Sequence, residues 1–283
     1  MREFELLQSI YATASKSSHI KIGPGDDMGE LLIQGARVLS AVDHLIVGRH
    51  VEEDCLPEEI GRKAIARCFS DIAAMAGTPV ACLMTACIPS SKENDWCEKV
   101  FQSARDVAHK WGGPIFGGDI ASCDNAPPIF TVTAFATPPE RGAITRNGAQ
   151  QGDFVCVTGE LGNSIKGHHL SFTPRIEEAK ELLEILGTDL HSMIDISDGL
   201  GQDASHLSTD SLQLNIDLSS LPLRKGATVE QALQDGEDYE LLFTCKSAPP
   251  DNLATVIGVV ESGSKHAVTS DGKSIADCGW EHS

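Results

Sequence analysis

Two hydrophobic periods alternate along this chain. FELLQSIYATA, residues 4–14, places apolar side chains three and four apart and predicts a helix. ARVLSAVDHLIV, residues 36–47, is a strand-like apolar run. PEEIGRKAIARCFSDIAAMAG opens on Pro57 and two acids, keeps helical spacing and stops at Gly77, which marks both ends of a helix. ACLMTACI then predicts a strand, DWCEKVFQSARDVAHKWGG a helix, and GPIFGGDI and PIFTVTAFAT two more strands.

The loop TPPERGAITRNGAQQGD, residues 137–153, is rich in Pro, Gly and Arg and is the expected domain boundary. Beyond it, FVCVTG, SMIDIS, LQLNIDL, YELLFTC and TVIGVV predict strands, and RIEEAKELLEILG and TVEQALQ predict helices. Strands and helices mix in both halves. The expected class is therefore mixed α/β in two domains, 1–138 and 139–283.

Composition narrows the function. The 283 residues suffice for two cores, and 41% hydrophobic content is ordinary for a globular protein. No apolar run reaches the roughly 18 residues that span a bilayer, and the start has no secretory apolar core, so the expected compartment is the cytoplasm and no membrane partner is expected. Nine cysteines lie singly in apolar segments with no CxxC pair, and read as small buried thiols. The formal charge of −19, from 22 basic and 41 acidic residues, disfavours nucleic acid as a partner.

What matters is where the acids sit. IGPGDDMG sets Asp26 beside Asp27 after a Gly-Pro-Gly turn; Asp43 interrupts an apolar strand; Asp71 lies on an apolar helix stripe. Asp119 ends a strand in GGD, Asp195 and Asp198 bracket Ser197 in DISDGL, and Glu237 sits in GEDYEL. A buried unpaired carboxylate costs several kcal/mol. Any one of these acids could cap a helix or close a turn; together, as an oxygen-only set, they suit a hard cation, Mg²⁺ first. Carboxylate-held Mg²⁺ commonly shares its shell with phosphate. No P-loop, kinase HRD or DFG set, or GxGxxG fingerprint is present. Glycine turns at Gly117–Asp119 and VTGELGNS, and Arg146 beside the boundary, are the candidate phosphate contacts.

GPGDD, FSDIAAMAGTP, GGD, TRNGAQQGD, VTGELGNS, TPR, DISDGL, GEDYEL and GWEHS follow one another in an order that resembles thiamine-monophosphate kinases, from Phe4 to His282. That family belongs with aminoimidazole ribonucleotide synthase and selenophosphate synthetase. The resemblance implies a homodimer whose N-terminal sheets pair into a barrel, with a C-terminal α/β domain completing the site. It implies ATP-dependent transfer of a phosphoryl group to thiamine monophosphate, giving thiamine diphosphate, with several Mg²⁺ ions. Carried over by position, Asp27, Asp43, Asp71, Asp119, Asp195 and Asp198 are the expected metal ligands. Gly118, Asp119, Arg146 and Ser197 are expected to hold ATP, and His50, Glu237 and Trp280 the thiamine substrate.

The chain departs from the family pattern at several places, among them a short segment between Gly167 and Pro174 where the family has a longer loop. Ala41-Val42 precedes Asp43 where the family has hydroxyls, Val47 stands where it has an acid, and Ile120-Ala121-Ser122 follows GGD. These departures keep an alternative in view: a non-catalytic or altered-substrate nucleotide-binding relative. A selenophosphate synthetase would need a reactive Cys segment before Gly23, and a hydrogenase-maturation relative a terminal cysteine; neither is present in this sequence.

Overall fold

In a computed structural model, residues 3–264, 266–269 and 271–279 are described. Helix α1 (Glu3–Ala12) leads into strands β1 (Ile20–Ile22), β2 (Gly29–Ile33) and β3 (Ala36–Ile46). Helix α2 (Pro57–Ala74), strand β4 (Thr78–Ile88), helix α3 (Asn94–Lys110) and strands β5 (Ile115–Ser122) and β6 (Ile129–Thr137) follow. These strands form one sheet in the order β1-β2-β3-β6-β4-β5, antiparallel except for β4 beside β5.

The second sheet uses β7 (Phe154–Val157), β8 (Leu190–Asp195), β9 (Leu212–Ile216), β10 (Leu241–Cys245), β11 (Thr255–Ser262) and β12 (Ala267–Thr269). Its order is β12-β9-β11-β7-β10-β8, with only β12–β9 parallel. Helices α4 (His168–Ser171), α5 (Ile176–Leu186), α6 (Leu200–His206) and α7 (Val229–Gln234) complete the described strands and α-helices, beside three short 3-10 turns. Each helix and strand read from periodicity is present. The additions, β1, β2, α4, α6 and β12, are too short or too irregular to show a period.

The first sheet has one covered and one open face, and the two-residue alternation of its strands sorts them. Leu39, Ala41 and Leu45 of β3, Phe130 and Val132 of β6, and Met84 of β4 are buried towards α2. Val42, one residue out of phase, is 64% exposed. Helix α2 starts at Pro57 with Glu58 and Glu59 in its first turn, as its sequence predicts, and is buried around most of its circumference. Gly61 lets α3 approach it, since a Cβ there would collide with the Val100 carbonyl. One apolar core runs from the first sheet through α2 to α5 and the Met193–Phe243 side of the second sheet; a separate core under α6 and α7 fills the other side. Polar groups along α2 are thereby caught between the sheets, where the candidate site forms.

The loop 137–153 is packed: Ile144 and Ala149 are buried, and Arg141 donates to the carbonyls of Gly187 and Leu190. One sequence expectation is modified. Cys87 and Cys123 are joined as a disulfide, because β4 and the turn after β5 bring together thiols that sequence spacing leaves 36 residues apart. The other seven cysteines are free. No helix among the described residues is long and apolar enough to cross a membrane.

Candidate active site

Three carboxylates meet where α2 passes between the sheets. Asp27 comes from the turn between β1 and β2, Asp71 from the last turn of α2, and Asp195 from the end of β8; one oxygen of each lies within 4.8 Å of the others. Asp27 is 1% exposed at its side chain. Its Oδ1 accepts from Arg146 Nη2 at 2.6 Å, while its Oδ2 is buried with no hydrogen-bond partner among the described residues. Asp195 Oδ2 accepts from Ser70 Oγ at 2.6 Å. Burial raises the pKa of all three above the ordinary carboxylate range. For Asp71 the charges of Asp195, Asp43 and Asp27 add to it; for Asp195, pushed up to about 7, Asp27 adds most. An orphaned buried oxygen among crowded carboxylates is the donor set of a hard divalent cation, and the residues fit Mg²⁺.

Asp26 has a different task. Its carboxylate accepts the Asp27 N–H at 3.1 Å and the Arg146 N–H at 3.2 Å, pinning the loop that carries Arg146 to the Gly-Pro-Gly turn. Burial and the neighbouring Asp27 push it up to about 6.

Beside the acid cluster opens a cavity of about 560 Å³ bordered by Arg49, His50, Arg67, Ser197, Asp198 and Glu237. Here two acids, Asp43 and Glu237, already have cations. Asp43 is gripped by Arg67, with Nε 3.0 Å from Oδ2 and Nη2 3.2 Å from Oδ1. Lys63, fully buried in α2, donates to Glu237 Oε2 at 2.5 Å and to the His50 carbonyl at 2.5 Å, and lies 2.8 Å from His169 Nδ1. Burial lowers Lys63 to about 8 against the pull of Glu237. Burial alone would raise Glu237, but the His169 hydrogen bond and the Lys63 and Arg67 charges bring it down to about 2.

Two turns present these groups. After β8, the backbone N–H groups of Ser197, Asp198 and Gly199 all donate to the buried Asp203 carboxylate, at 3.0, 3.0 and 3.2 Å. In GEDYEL, Glu237 and Tyr239 both adopt left-handed backbone, φ 54° and 51°. Each costs about 1–3 kcal/mol. Bonds from Glu237 N to the Ser197 carbonyl, Tyr239 N to the Ile196 carbonyl, and Ser164 Oγ to the Glu237 carbonyl hold the turn in place. Tyr239 stacks on Phe172 with ring centroids 4.1 Å apart.

Of the residues singled out in the sequence, Asp27, Asp71 and Asp195 come together with Arg146. His50, Glu237, Ser197 and Asp198 border the adjoining cavity, and Asp43 lies beside it under Arg67. Gly118 and Asp119 stand on the edge strand β5, outside the acid group. Register puts Asp119 in a row with Thr85, Thr131 and His44, on the open face of the sheet. A Cβ at Gly118 would strike the Met84 carbonyl, so close pairing of β4 and β5 already requires a glycine there. Trp280 lies outside the described residues. Sequence reasoning missed Lys63, Arg67, Ser70, His169 and Asp203. The α2 residues had a signal: Lys63, Arg67, Ser70 and Asp71 recur three or four apart, a polar stripe on an otherwise apolar helix.

Comparison with known proteins places these features in a lineage. Residues 25–137 match the family model for AIR synthase related protein, N-terminal domain. The chain is 32% identical over 246 residues to a thiamine-monophosphate kinase of Rhodopirellula baltica, covering 79% of this chain and 76% of that one. It is 31% identical over 288 residues to the thiamine-monophosphate kinase of Escherichia coli strain K12, covering 90% and 86%. A solved structure described as AaThiL complexed with AMPPCP and TMP superposes with a TM-score of 0.88 at 29% identity, over 100% of this chain and 97% of that one.

Proposed function

The chain belongs to the thiamine-monophosphate kinase family and is a kinase of that family, and from this premise we propose that it passes the γ-phosphoryl group of ATP directly to the phosphate of thiamine monophosphate. The observation that carries the proposal is the meeting of Asp27, Asp71 and Asp195 beside a cavity edged with cations. Two phosphate groups must approach in line, so the reaction asks for positioning and charge neutralisation more than for covalent chemistry. Magnesium ions held by Asp27, Asp71 and Asp195, with Asp198 at the cavity edge for a further one, would supply that neutralisation.

The chain's own groups do the positioning. We assign Arg146 and Ser197, with Gly118 and Asp119 on β5, to the nucleotide. Glu237 and His50, held in place through Lys63, are assigned to the thiamine end, where a fixed carboxylate suits a thiazolium cation. Trp280 keeps its sequence-based assignment to the same end. The division of labour follows the expected domains: 1–138 supplies most of the acids and the sheet, and 139–283 completes the cleft. The compartment we assign is the cytoplasm.

A second copy is the proposed cover for the open face of the first sheet. Leu31, Ile33, Val42 and Phe116 are 39%, 52%, 64% and 65% exposed there, and Phe116 packs on Phe135. Two such faces closed on each other would form a barrel and remove the exposed apolar surface. Sedimentation of the wild type as a dimer and of Val42→Asp as a monomer is the expected result; a monomeric wild type would refute it.

The reaction is tested by incubating the protein with ATP, Mg²⁺ and thiamine monophosphate and following thiamine diphosphate by chromatography. Product that disappears in Asp71→Asn is expected. ATP binding without product, at every Mg²⁺ or Mn²⁺ concentration, would instead support the non-catalytic relative.

A further inference from the structure

Asp43 does not have the surroundings of a metal ligand. Its Oδ1 accepts the His44 N–H at 2.9 Å and the Arg67 Nη2 at 3.2 Å, and its Oδ2 faces Arg67 Nε at 3.0 Å. Its neighbours on the covered face of β3 are Ala41 and Leu45, both buried and without a side-chain oxygen. Val42 is on the opposite face. A cation at this point would have to displace the guanidinium that now faces both carboxylate oxygens.

Arg67 meanwhile has more donors than Asp43 can accept. A guanidinium carries five N–H groups in a planar fork. Arg67 Nε and Nη1 are both buried with no hydrogen-bond partner among the described residues, the Nε contact to Asp43 being an ion pair without hydrogen-bond geometry. A buried donor left unpaired is costly, so the arrangement favours an incoming acceptor. The Arg67 side chain is 13% exposed and borders the cavity together with Arg49, His50 and Glu237. It is one of two arginines on a cavity whose acidic lining residues are Asp198, Asp235 and Glu237.

We propose that Arg67 replaces a metal ion at Asp43, and that its guanidinium, oriented by Asp43, binds the phosphate monoester of the acceptor without any metal. The inference rests on the proposed function for the identity of the acceptor. Arg67 is the binding group; Asp43 is a positioning residue that sets the plane of the fork.

The test is calorimetric binding in EDTA, so that it does not depend on turnover. Wild type is expected to bind thiamine monophosphate at least tenfold more tightly than thiamine. Arg67→Gln is expected to erase that preference, and Arg67→Lys, which keeps the charge but not the fork, to retain part of it. Should Arg67→Gln fail to fold by circular dichroism, the Arg67→Lys comparison decides. Equal affinity of the wild type for both ligands, or a preference unchanged in the variants, overturns the proposal. A loss confined to AMPPCP binding overturns the assignment to the acceptor and gives Arg67 to the nucleotide. Failure of the kinase reading would show separately, as absence of thiamine diphosphate with Mg²⁺ present.

Discussion

On one side of the cleft Asp27, Asp71 and Asp195 crowd within 4.8 Å, with one guanidinium, Arg146, and one hydroxyl, Ser70, among them. On the other, Asp43 and Glu237 each have a cation of their own, Arg67 and Lys63. Both sides bury carboxylates against α2. The first keeps its pKa values raised by burial and mutual repulsion; the second holds Glu237 ionised, its pKa brought down to about 2 by the His169 hydrogen bond and the Lys63 and Arg67 charges. On the proposed reading, the contrast separates acids kept for an added cation from acids that hold the protein's own cations in place.

The largest expected effect breaks the first side. Asp71→Asn is isosteric and relieves repulsion in the metal-free protein. It should lower thiamine diphosphate formation by about a hundredfold or more, the scale of losing a group that neutralises a transferring phosphoryl, while the melting temperature without metal holds or rises. Full activity in this variant would remove the acid cluster from the mechanism.

The second side breaks differently. Glu237→Gln leaves the buried Lys63 ammonium without its carboxylate, and stranding one member of such a pair costs about 3–5 kcal/mol. Its melting temperature should drop by roughly 10 °C, at about 2–4 °C per kcal/mol for a chain of this size. An unchanged melting temperature would mean that Lys63 is neutral or otherwise compensated.

pH sharpens the comparison, because the shifts have opposite signs. Asp195 has a folded-state pKa of about 7, above its unfolded value near 3.9. Its contribution to stability is present below about pH 4 and is lost as the pH rises through 7. Glu237, depressed to about 2, contributes fully above its unfolded value near 4.3 and loses it only as the pH falls through 2. Between pH 5 and 8 Glu237 is therefore silent, and Lys63, lowered to about 8, begins to titrate only at the top of that range. The metal-free protein should melt several degrees lower at pH 8 than at pH 5.5, and Mg²⁺ should flatten that slope. A flat profile in EDTA would contradict the repulsion within the cluster.

The sequence made much of this legible, for reasons visible in particular residues. Strands β3, β4 and β6 were readable as apolar runs of strand length, and α2 because Pro57 and Gly77 punctuate it. The acids stood out because apolar segments make a carboxylate conspicuous. Their partners were less visible. Lys63 and Arg67 lie 174 residues before and 24 residues after the acids they hold, and pairing at such separations is decided by tertiary packing. The consequence of Ala41-Val42 was likewise hidden: alternation sends Ala41 towards α2 and Val42 to the open face, so only one of the two borders Asp43 on the covered side. Strands β1 and β2 escaped notice because they are 3 and 5 residues long and flank an irregular turn.

The measurement that tests the contrast most directly is the rise in melting temperature with added Mg²⁺, compared for wild type, Asp71→Asn and Asp43→Asn. The account predicts that wild type and Asp43→Asn both respond, within about threefold in apparent affinity, and that Asp71→Asn does not. Loss of the response in Asp43→Asn as complete as in Asp71→Asn, or an undiminished response in Asp71→Asn, would contradict it.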